Sequence, residues 1–298
     1  MQLIINKSKV KMKKKKISLT YTALLLIIWA LPFHAQKGNP DSTDDYFESR
    51  TSEIANQINY SLDDGAKLFE RTTNFNNIDL IYSAAFVLGT GASFSLDKEL
   101  KNISARNQNS TMDFITDVGE KYGNGLYSVL LSAGLFTTGL LIENKKVENT
   151  GRILFEALLV SGAAVQIIKI VSGRSRPFLD EGPFMFNLFK TDNSHQSFPS
   201  GHIVVAFTTS SVLAAGIKNT YASIALYSLA GLSAYQRIYS NNHWFSDAVL
   251  AAIIGTVVGN TLVKINDDRF NEENNENRLN IQPIFNHFGI HLNFLVQL

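Results

Sequence analysis

Six long apolar runs constrain the fold of this chain more than any other feature of its sequence. Each run has the length of a helix that either crosses a bilayer or fills a large helical core. Charged side chains inside the runs are confined to Glu156 and Asp247. The sequence therefore predicts an all-α fold, a helical bundle of about six core helices. The runs cover residues 80–96, 125–142, 153–168, 203–217, 221–236 and 245–263.

Composition leaves open whether such a bundle spans the membrane or forms a periplasmic domain. A mean hydropathy of +0.01 is low, and 18% of charged residues is high, for a protein with six membrane spans. Four of the runs carry no charge at all, which favours spans. We favour a periplasmic domain, soluble or membrane-associated, over an integral one. The net charge of +1 gives no basic surface for nucleic acid, and the lack of cysteine excludes disulfides and thiolate metal sites.

The N-terminus has the pattern of an export signal. Lys11 and the lysines at 13–16 precede an apolar segment, residues 22–31, and Ala35 ends a stretch suited to cleavage. We predict a signal peptide over residues 1–35, with an uncleaved signal anchor as the alternative. In either case the chain that follows begins outside the cytoplasm. The protein is therefore expected in the cell envelope, facing the periplasm, either soluble or peripheral, or integral in the inner membrane.

Polar segments flank the helical domain predicted for residues 79–266. Residues 36–78 form a polar N-terminal arm. Residues 267–278 are dense in Asn, Asp and Glu and predict a solvated linker. In the tail, residues 279–298, apolar and polar residues alternate, which predicts a short C-terminal β-hairpin.

A Phe-Pro-Ser-Gly-His segment, residues 198–202, stands directly before the fourth run. A Pro-Ser-Gly turn that leads into a helix leaves backbone N–H groups unpaired at the positive end of the helix dipole, which forms a site for an anion. Ser200 can cap the helix, and Gly201 lets a ligand approach the backbone closely. His202 titrates near neutral pH.

Cations stand on both sides of this segment in the sequence. Lys169 and Arg176 precede it, and Arg237 follows it. His243 and Asp247 come next, one helical turn apart, so that their side chains share a face. Fixed cations, two histidines and a carboxylate are the groups that phosphoryl transfer through a histidine needs.

The order and spacing of these residues resemble the signature of the type 2 phosphatidic acid phosphatase (PAP2) family. That family includes bacterial class A acid phosphatases and is related to vanadium haloperoxidases. The resemblance covers residues 169–247, and it departs from the family at Gln236, where a serine is frequent. The matching pattern is Lys169, six residues, Arg176-Pro177; then Pro199-Ser200-Gly201-His202; then Arg237, five residues, His243, three residues, Asp247.

The resemblance implies a role for each of these residues. His243 is the candidate nucleophile, and Asp247 orients it by accepting a hydrogen bond from the other ring nitrogen. His202 is the candidate general acid for the leaving oxygen. Arg174 lies outside the pattern and is interpreted as a surface charge or a substrate contact. No metal and no cofactor is expected, because side chains supply the cations. The residues expected to hold phosphate oxygens are Lys169, Arg176, Ser200, Gly201 and Arg237.

The resulting hypothesis is a metal-independent phosphatase that hydrolyses phosphate monoesters through a phosphohistidine intermediate. The resemblance implies lipid phosphates, polyprenyl pyrophosphate or small soluble monoesters as substrates. Two alternatives stay open: a vanadium-dependent haloperoxidase, and a non-catalytic envelope protein that binds anionic lipids. The active site is expected at one end of the bundle, where the motif loops gather. A lipid phosphate, and hence membrane association, is favoured by Phe178, Phe184, Phe186 and Phe189 between the first two motifs.

Overall fold

A computed structural model describes residues 40–74, 76–276, 280–286 and 289–295 of the 298-residue chain. The predicted signal peptide or signal anchor therefore lies outside the described residues. The chain divides into two compact units, Met1–Ile58 and Asn59–Leu298. Every contact given below lies within the second unit.

Helices dominate the described chain up to residue 276, which confirms the prediction of an all-α fold there. After them, the backbone of β1 (Asn280–Asn286) pairs antiparallel with β2 (Gly289–Leu295). The predicted alternation of side chains in this tail lies outside the side chains that the structure describes. The helices are α1 (Pro40–Thr73), α2 (Asn77–Ser93), α3 (Asp97–Arg106), α4 (Ser110–Tyr122), α5 (Gly125–Leu141), α6 (Lys145–Ser172), α7 (Gly201–Ile217), α8 (Thr220–Tyr239) and α9 (Phe245–Glu276).

Helix α9 extends further than the sequence suggested. Residues 267–276, predicted as part of a solvated linker, continue this helix to its last residue. Within the extension, Arg269 is buried and binds two carboxylates of α1, Asp63 at 2.8 Å and Asp64. The polar composition did not end the helix, and Asp268 and Arg269 have charged partners on α1.

Apolar packing joins α6, α7 and α9 into the core of the bundle. One cluster of buried side chains includes Leu154, Val212 and Leu262, one from each of the three helices. A second cluster includes Ile203 and Ala248, which belong to the first turns of α7 and α9. The packing therefore brings the starts of α7 and α9 together.

The chain reverses direction so that the motif segments meet at one end of the bundle. Helix α6 ends at Ser172, capped by Gly173 with a φ of 54°. The Ser172 hydroxyl donates to the carbonyl of Phe198, just before α7. Helices α7 and α8 form a hairpin that returns the chain to the same end, where α9 begins.

Within the described residues, three helical segments are long and apolar enough to cross a membrane: Asn77–Arg106, Lys145–Ser172 and Phe245–Glu272. Helices α4 and α5, bent by 51°, provide a fourth if the pair forms one span. In the first segment, large apolar side chains such as Val87 and Leu88 are more than 70% exposed. Such surfaces suit contact with lipid, which favours the integral alternative over the soluble domain that composition suggested.

Candidate active site

The candidate nucleophile, His243, lies in the turn between α8 and α9 and is 3% exposed. Its Nδ1 lies 2.8 Å from the backbone carbonyl of Ser197 and 3.5 Å from the Asp247 carboxylate. The nearer partner is therefore a carbonyl and not the predicted carboxylate. Because a carbonyl only accepts hydrogen bonds, Nδ1 carries the proton and Nε2 of the neutral ring keeps its lone pair.

Asp247 is fully buried and held by donors from three sides. Its Oδ2 accepts from the Ser197 hydroxyl at 2.5 Å and from the backbone N–H of Trp244 at 2.7 Å. Its Oδ1 accepts from the Arg174 guanidinium at 2.5 Å. These bonds fix the carboxylate beside the ring of His243, where it opposes the positive charge that the ring develops.

Arg174 corrects an expectation, because it is neither a surface charge nor exposed to a substrate. Its side chain is 0% exposed and bridges Asp247 to Asp97, which lies 2.7 Å away at the start of α3. The carbonyl of Pro183 accepts a further bond at 2.9 Å. The ring of Phe94 lies 4.4 Å from the guanidinium. The residue thus links the end of the first apolar run to the candidate catalytic carboxylate.

The three predicted phosphate-binding cations are each held by a neighbouring oxygen. Lys169 Nζ donates to the carbonyl of Gln196 at 2.5 Å. Arg176 donates to the Asn193 side chain at 2.8 Å, and its buried Nε has no partner within the described part of the chain. Arg237 Nε donates at 2.6 Å to the side chain of the preceding residue, Gln236, the position that departs from the motif.

His202, in the first turn of α7 and outside the three candidate spans, lies in a positive environment. Burial lowers the pKa of its imidazole to about 4, and the charges of Arg237, Lys169 and Arg176 lower this pKa in the same direction. Two residues earlier, Ser200 is fully buried, and its hydroxyl has no hydrogen-bond partner among the residues that the structure describes. Cations that repel one another and an unpaired donor together suit an anion.

His243 also lies outside the candidate spans and shares this environment. Burial lowers the pKa of His243 to about 4. The hydrogen bond to Asp247 raises this pKa, whereas the charges of Lys169 and Arg176 lower it further. The imidazole is therefore neutral near pH 7, the form in which a ring nitrogen can attack an electrophile.

Residues 150–271 match the model of the PAP2 superfamily. This chain carries a PAP2 superfamily domain. The predicted resemblance is thereby confirmed at the level of this domain, and all three motif segments fall inside the matched residues. The relationship to acid phosphatases and haloperoxidases stays a prediction.

Similar proteins extend the comparison beyond the PAP2 domain. The lipid A 1-phosphatase of Porphyromonas gingivalis is 24% identical over 250 residues, which are 80% of this chain and 49% of that protein. The chain thus spans about half the length of this curated relative. Two crystal structures are also similar. LpxE of Aquifex aeolicus has a TM-score of 0.41 at 24% identity, with 57% of this chain and 95% of that chain covered. The first transmembrane PAP2-type phosphatidylglycerolphosphate phosphatase of Bacillus subtilis has a TM-score of 0.48 at 18% identity, with 62% and 96% covered.

The PAP2 domain brings the predicted site residues to one end of the bundle. Hydrogen bonds or electrostatic interactions connect His202, His243, Asp247 and the three cations, and Ser200 N–H donates to the Asp247 carbonyl at 3.3 Å. Gly201 follows Ser200 as the first residue of α7. In the described part of the chain, no group of three or more His, Cys, Asp or Glu is placed to hold a metal ion.

Sequence reasoning missed two contributors to the PAP2 site. The carbonyl of Ser197 contacts His243, and Asp97 reaches the site from outside the matched residues. No sequence signal identifies a backbone carbonyl, since every residue has one. A signal for Asp97 existed, because it is the acidic residue that bounds the first apolar run.

Proposed function

We propose that this chain is a metal-independent phosphatase that transfers the phosphoryl group through His243. The observation that carries the proposal is the 2.8 Å hydrogen bond between His243 Nδ1 and the Ser197 carbonyl. It leaves the Nε2 lone pair as the nucleophile, in a site that also holds three cations. The similarity to a lipid A 1-phosphatase supports the same reaction class.

The reaction has two steps. In the first, His243 Nε2 forms a bond to phosphorus while the bond from phosphorus to the leaving oxygen breaks, and His202 gives that oxygen a proton. In the second, water attacks phosphorus, His202 takes a proton from the water, and the bond to Nε2 breaks to release phosphate. Lys169, Arg176 and Arg237 stabilise the charge on the non-bridging oxygens in both steps.

His202 has to be protonated at the start of the first step. In the free site its pKa is about 4, because burial and three cations disfavour the imidazolium. A bound phosphate dianion offsets those cations and raises the pKa of His202. We therefore expect the general acid to take up its proton when the substrate binds.

We propose that the substrate is a lipid phosphate. The segment between α6 and α7 carries large exposed apolar side chains at the catalytic end, among them Phe184 at 69% and Phe189 at 68% exposure. An acyl chain is the ligand that would cover such side chains. Three helices long and apolar enough to span a membrane would hold this end close to a bilayer. We place the catalytic end on the periplasmic side, which agrees with the predicted export signal when one of the first three apolar runs does not cross the membrane.

The test is phosphate release by the full chain in mixed micelles with EDTA present. Phosphatidate and p-nitrophenyl phosphate are compared as a lipid and a soluble monoester. We expect release without metal, a higher kcat/KM for phosphatidate, and a loss of at least about 10⁴-fold in kcat for His243→Ala. Tyr221→Ala is the control, because Tyr221 is 83% exposed at the opposite end of the bundle.

Three results would contradict parts of the proposal. Full activity of His243→Ala would exclude the histidine mechanism. Loss of release in EDTA, restored by added divalent metal, would exclude metal independence. Faster hydrolysis of the soluble ester than of phosphatidate would exclude the lipid specificity.

A further inference from the structure

Residues 193–198, here named the strap, lie between the first and second motifs and contact three candidate catalytic groups through their main chain. The contacts place three carbonyls of the strap next to the Lys169 side chain on α6, the backbone N–H of Arg176 after α6 and the His243 ring before α9. They are Ser194 O with the Arg176 N–H at 2.9 Å, Gln196 O with Lys169 Nζ at 2.5 Å, and Ser197 O with His243 Nδ1 at 2.8 Å.

A histidine outside the family motifs anchors the middle of the strap. His195 is 9% exposed. Its Nδ1 lies 2.8 Å from the Asp192 carboxylate, and its Nε2 lies 3.1 Å from Lys190 Nζ. Glu181 is a weaker neighbour at 3.9 Å from Nε2. Both ring nitrogens are thus engaged by groups from the same loop.

The chemistry of these two partners determines the form of the ring. A lysine ammonium only donates hydrogen bonds, so Nε2 of His195 accepts and carries no proton. A carboxylate only accepts, so Nδ1 carries the proton and donates to Asp192. The neutral tautomer satisfies both bonds at once and fixes the orientation of the ring. No other neutral side chain of this size offers a donor and an acceptor at those two positions.

We propose that His195 is a positioning residue for phosphoryl transfer, an inference that rests on the proposed phosphatase function. By fixing the strap, it keeps the Gln196 and Ser197 carbonyls at Lys169 and His243. The Ser197 carbonyl sets the tautomer and direction of the nucleophile, so a shift of the strap reduces the rate of attack on phosphorus. Substrate binding also depends on Arg237, which lies on α8 and contacts Gln236 instead of the strap, so it changes less.

A series of substitutions at position 195 tests this role. His195→Leu removes both hydrogen bonds, His195→Asn keeps a donor near Nδ1, and His195→Gln keeps an acceptor near Nε2. We expect kcat to fall about 10- to 100-fold for leucine, as for a displacement of about 1 Å in a reacting group, with KM within about twofold of wild type. The asparagine and glutamine variants should each recover part of kcat. A purely structural role would not produce this ordered rescue at constant KM.

Two lysine substitutions complete the experiment, one at the hydrogen-bond partner Lys190 and one at a matched control position. Lys190→Met should match His195→Asn, because both lose the bond at Nε2 and keep the bond to Asp192. Lys121→Met is the control, since the Lys121 side chain is 64% exposed. Among the ion pairs of the described residues, Lys121 pairs only with Asp117, one turn away on α4. It should leave kcat unchanged.

The outcomes separate this inference from the function on which it rests. Phosphate release by wild type with an unchanged kcat in His195→Leu would overturn the positioning role alone. Equal losses in the leucine, asparagine and glutamine variants would overturn it too, because the hydrogen bonds would then be irrelevant. If the leucine variant does not fold, the asparagine and glutamine variants decide by the same criterion. No release from wild type on either ester would overturn both proposals.

Discussion

Arg174 provides the sharpest test of how the site is held together, and we predict that Arg174→Met is strongly destabilising. The guanidinium lies between Asp97 at 2.7 Å and Asp247 at 2.5 Å, and all three side chains are 0% exposed. Removing one partner of a buried ion pair costs about 3–5 kcal/mol, because the remaining charge is left without compensation. Methionine keeps an apolar side chain of similar length against the surrounding rings, so lost packing contributes little.

An exposed ion pair supplies the matched control for this substitution. Arg71 and Asp268 lie 3.3 Å apart with side chains 44% and 48% exposed. Such pairs contribute about 0–1 kcal/mol, so Arg71→Met should have an effect of that size. Total stabilities of proteins are about 5–15 kcal/mol, so a loss of about 3–5 kcal/mol at Arg174 is a large fraction of the total and easy to distinguish from the effect of Arg71→Met.

The measurement is the free energy of unfolding in mixed micelles, followed by far-UV circular dichroism at pH 7. A second variant tests the electrostatic reasoning. Asp97→Asn combined with Arg174→Met removes one of the two uncompensated carboxylates, so the double variant should recover at least about 1 kcal/mol relative to Arg174→Met. A loss below about 1 kcal/mol in Arg174→Met, or a double variant less stable than the single one, would refute the reasoning.

Two further predictions follow from buried groups at the site. Ser200→Ala should lower kcat/KM for phosphatidate about 10- to 100-fold, because the hydroxyl is expected to bind a phosphate oxygen. The same substitution should change the free energy of unfolding by less than about 1 kcal/mol, because the hydroxyl has no hydrogen-bond partner to lose among the described residues. An unchanged kcat/KM would exclude the contact with phosphate. In the folded chain the pKa of His243 is lowered from 6.5 to about 4, so the unfolded chain binds the proton more readily. The free energy of unfolding should therefore decrease by roughly 3 kcal/mol as the pH falls from 6.5 towards 4. Unfolding of wild type and His243→Gln between pH 4 and pH 7 checks this sign, and the glutamine variant should show the shallower dependence.

Local features of the sequence were sufficient for the six apolar helices and for the candidate chemistry, but not for the polar helices α1, α3 and α4. The apolar runs at 203–217 and 221–236 correspond to α7 and α8, because hydrophobicity and helix length are properties of neighbouring residues. Motif spacing identified the PAP2 domain for a similar reason, since the order and spacing of the motif residues can be read along the chain. His243 itself lies before α9 and not on the helix face that the spacing predicted. The mean hydropathy and the charge content, which are averages over the whole chain, favoured a periplasmic domain, soluble or membrane-associated. Individual helices are nevertheless long and apolar enough to span a membrane.

The sequence by itself determined which side chains are available for phosphoryl transfer and in what order they occur. The tertiary structure alone decided what holds them in place. Arg174 and Asp97 are 77 residues apart, and their contact depends on how α2 and α3 pack against the start of α9. The Ser197 carbonyl that contacts His243 belongs to the main chain, which is the same at every position. A local sequence pattern cannot predict long-range packing or the position of a backbone acceptor, because both depend on how the whole chain folds.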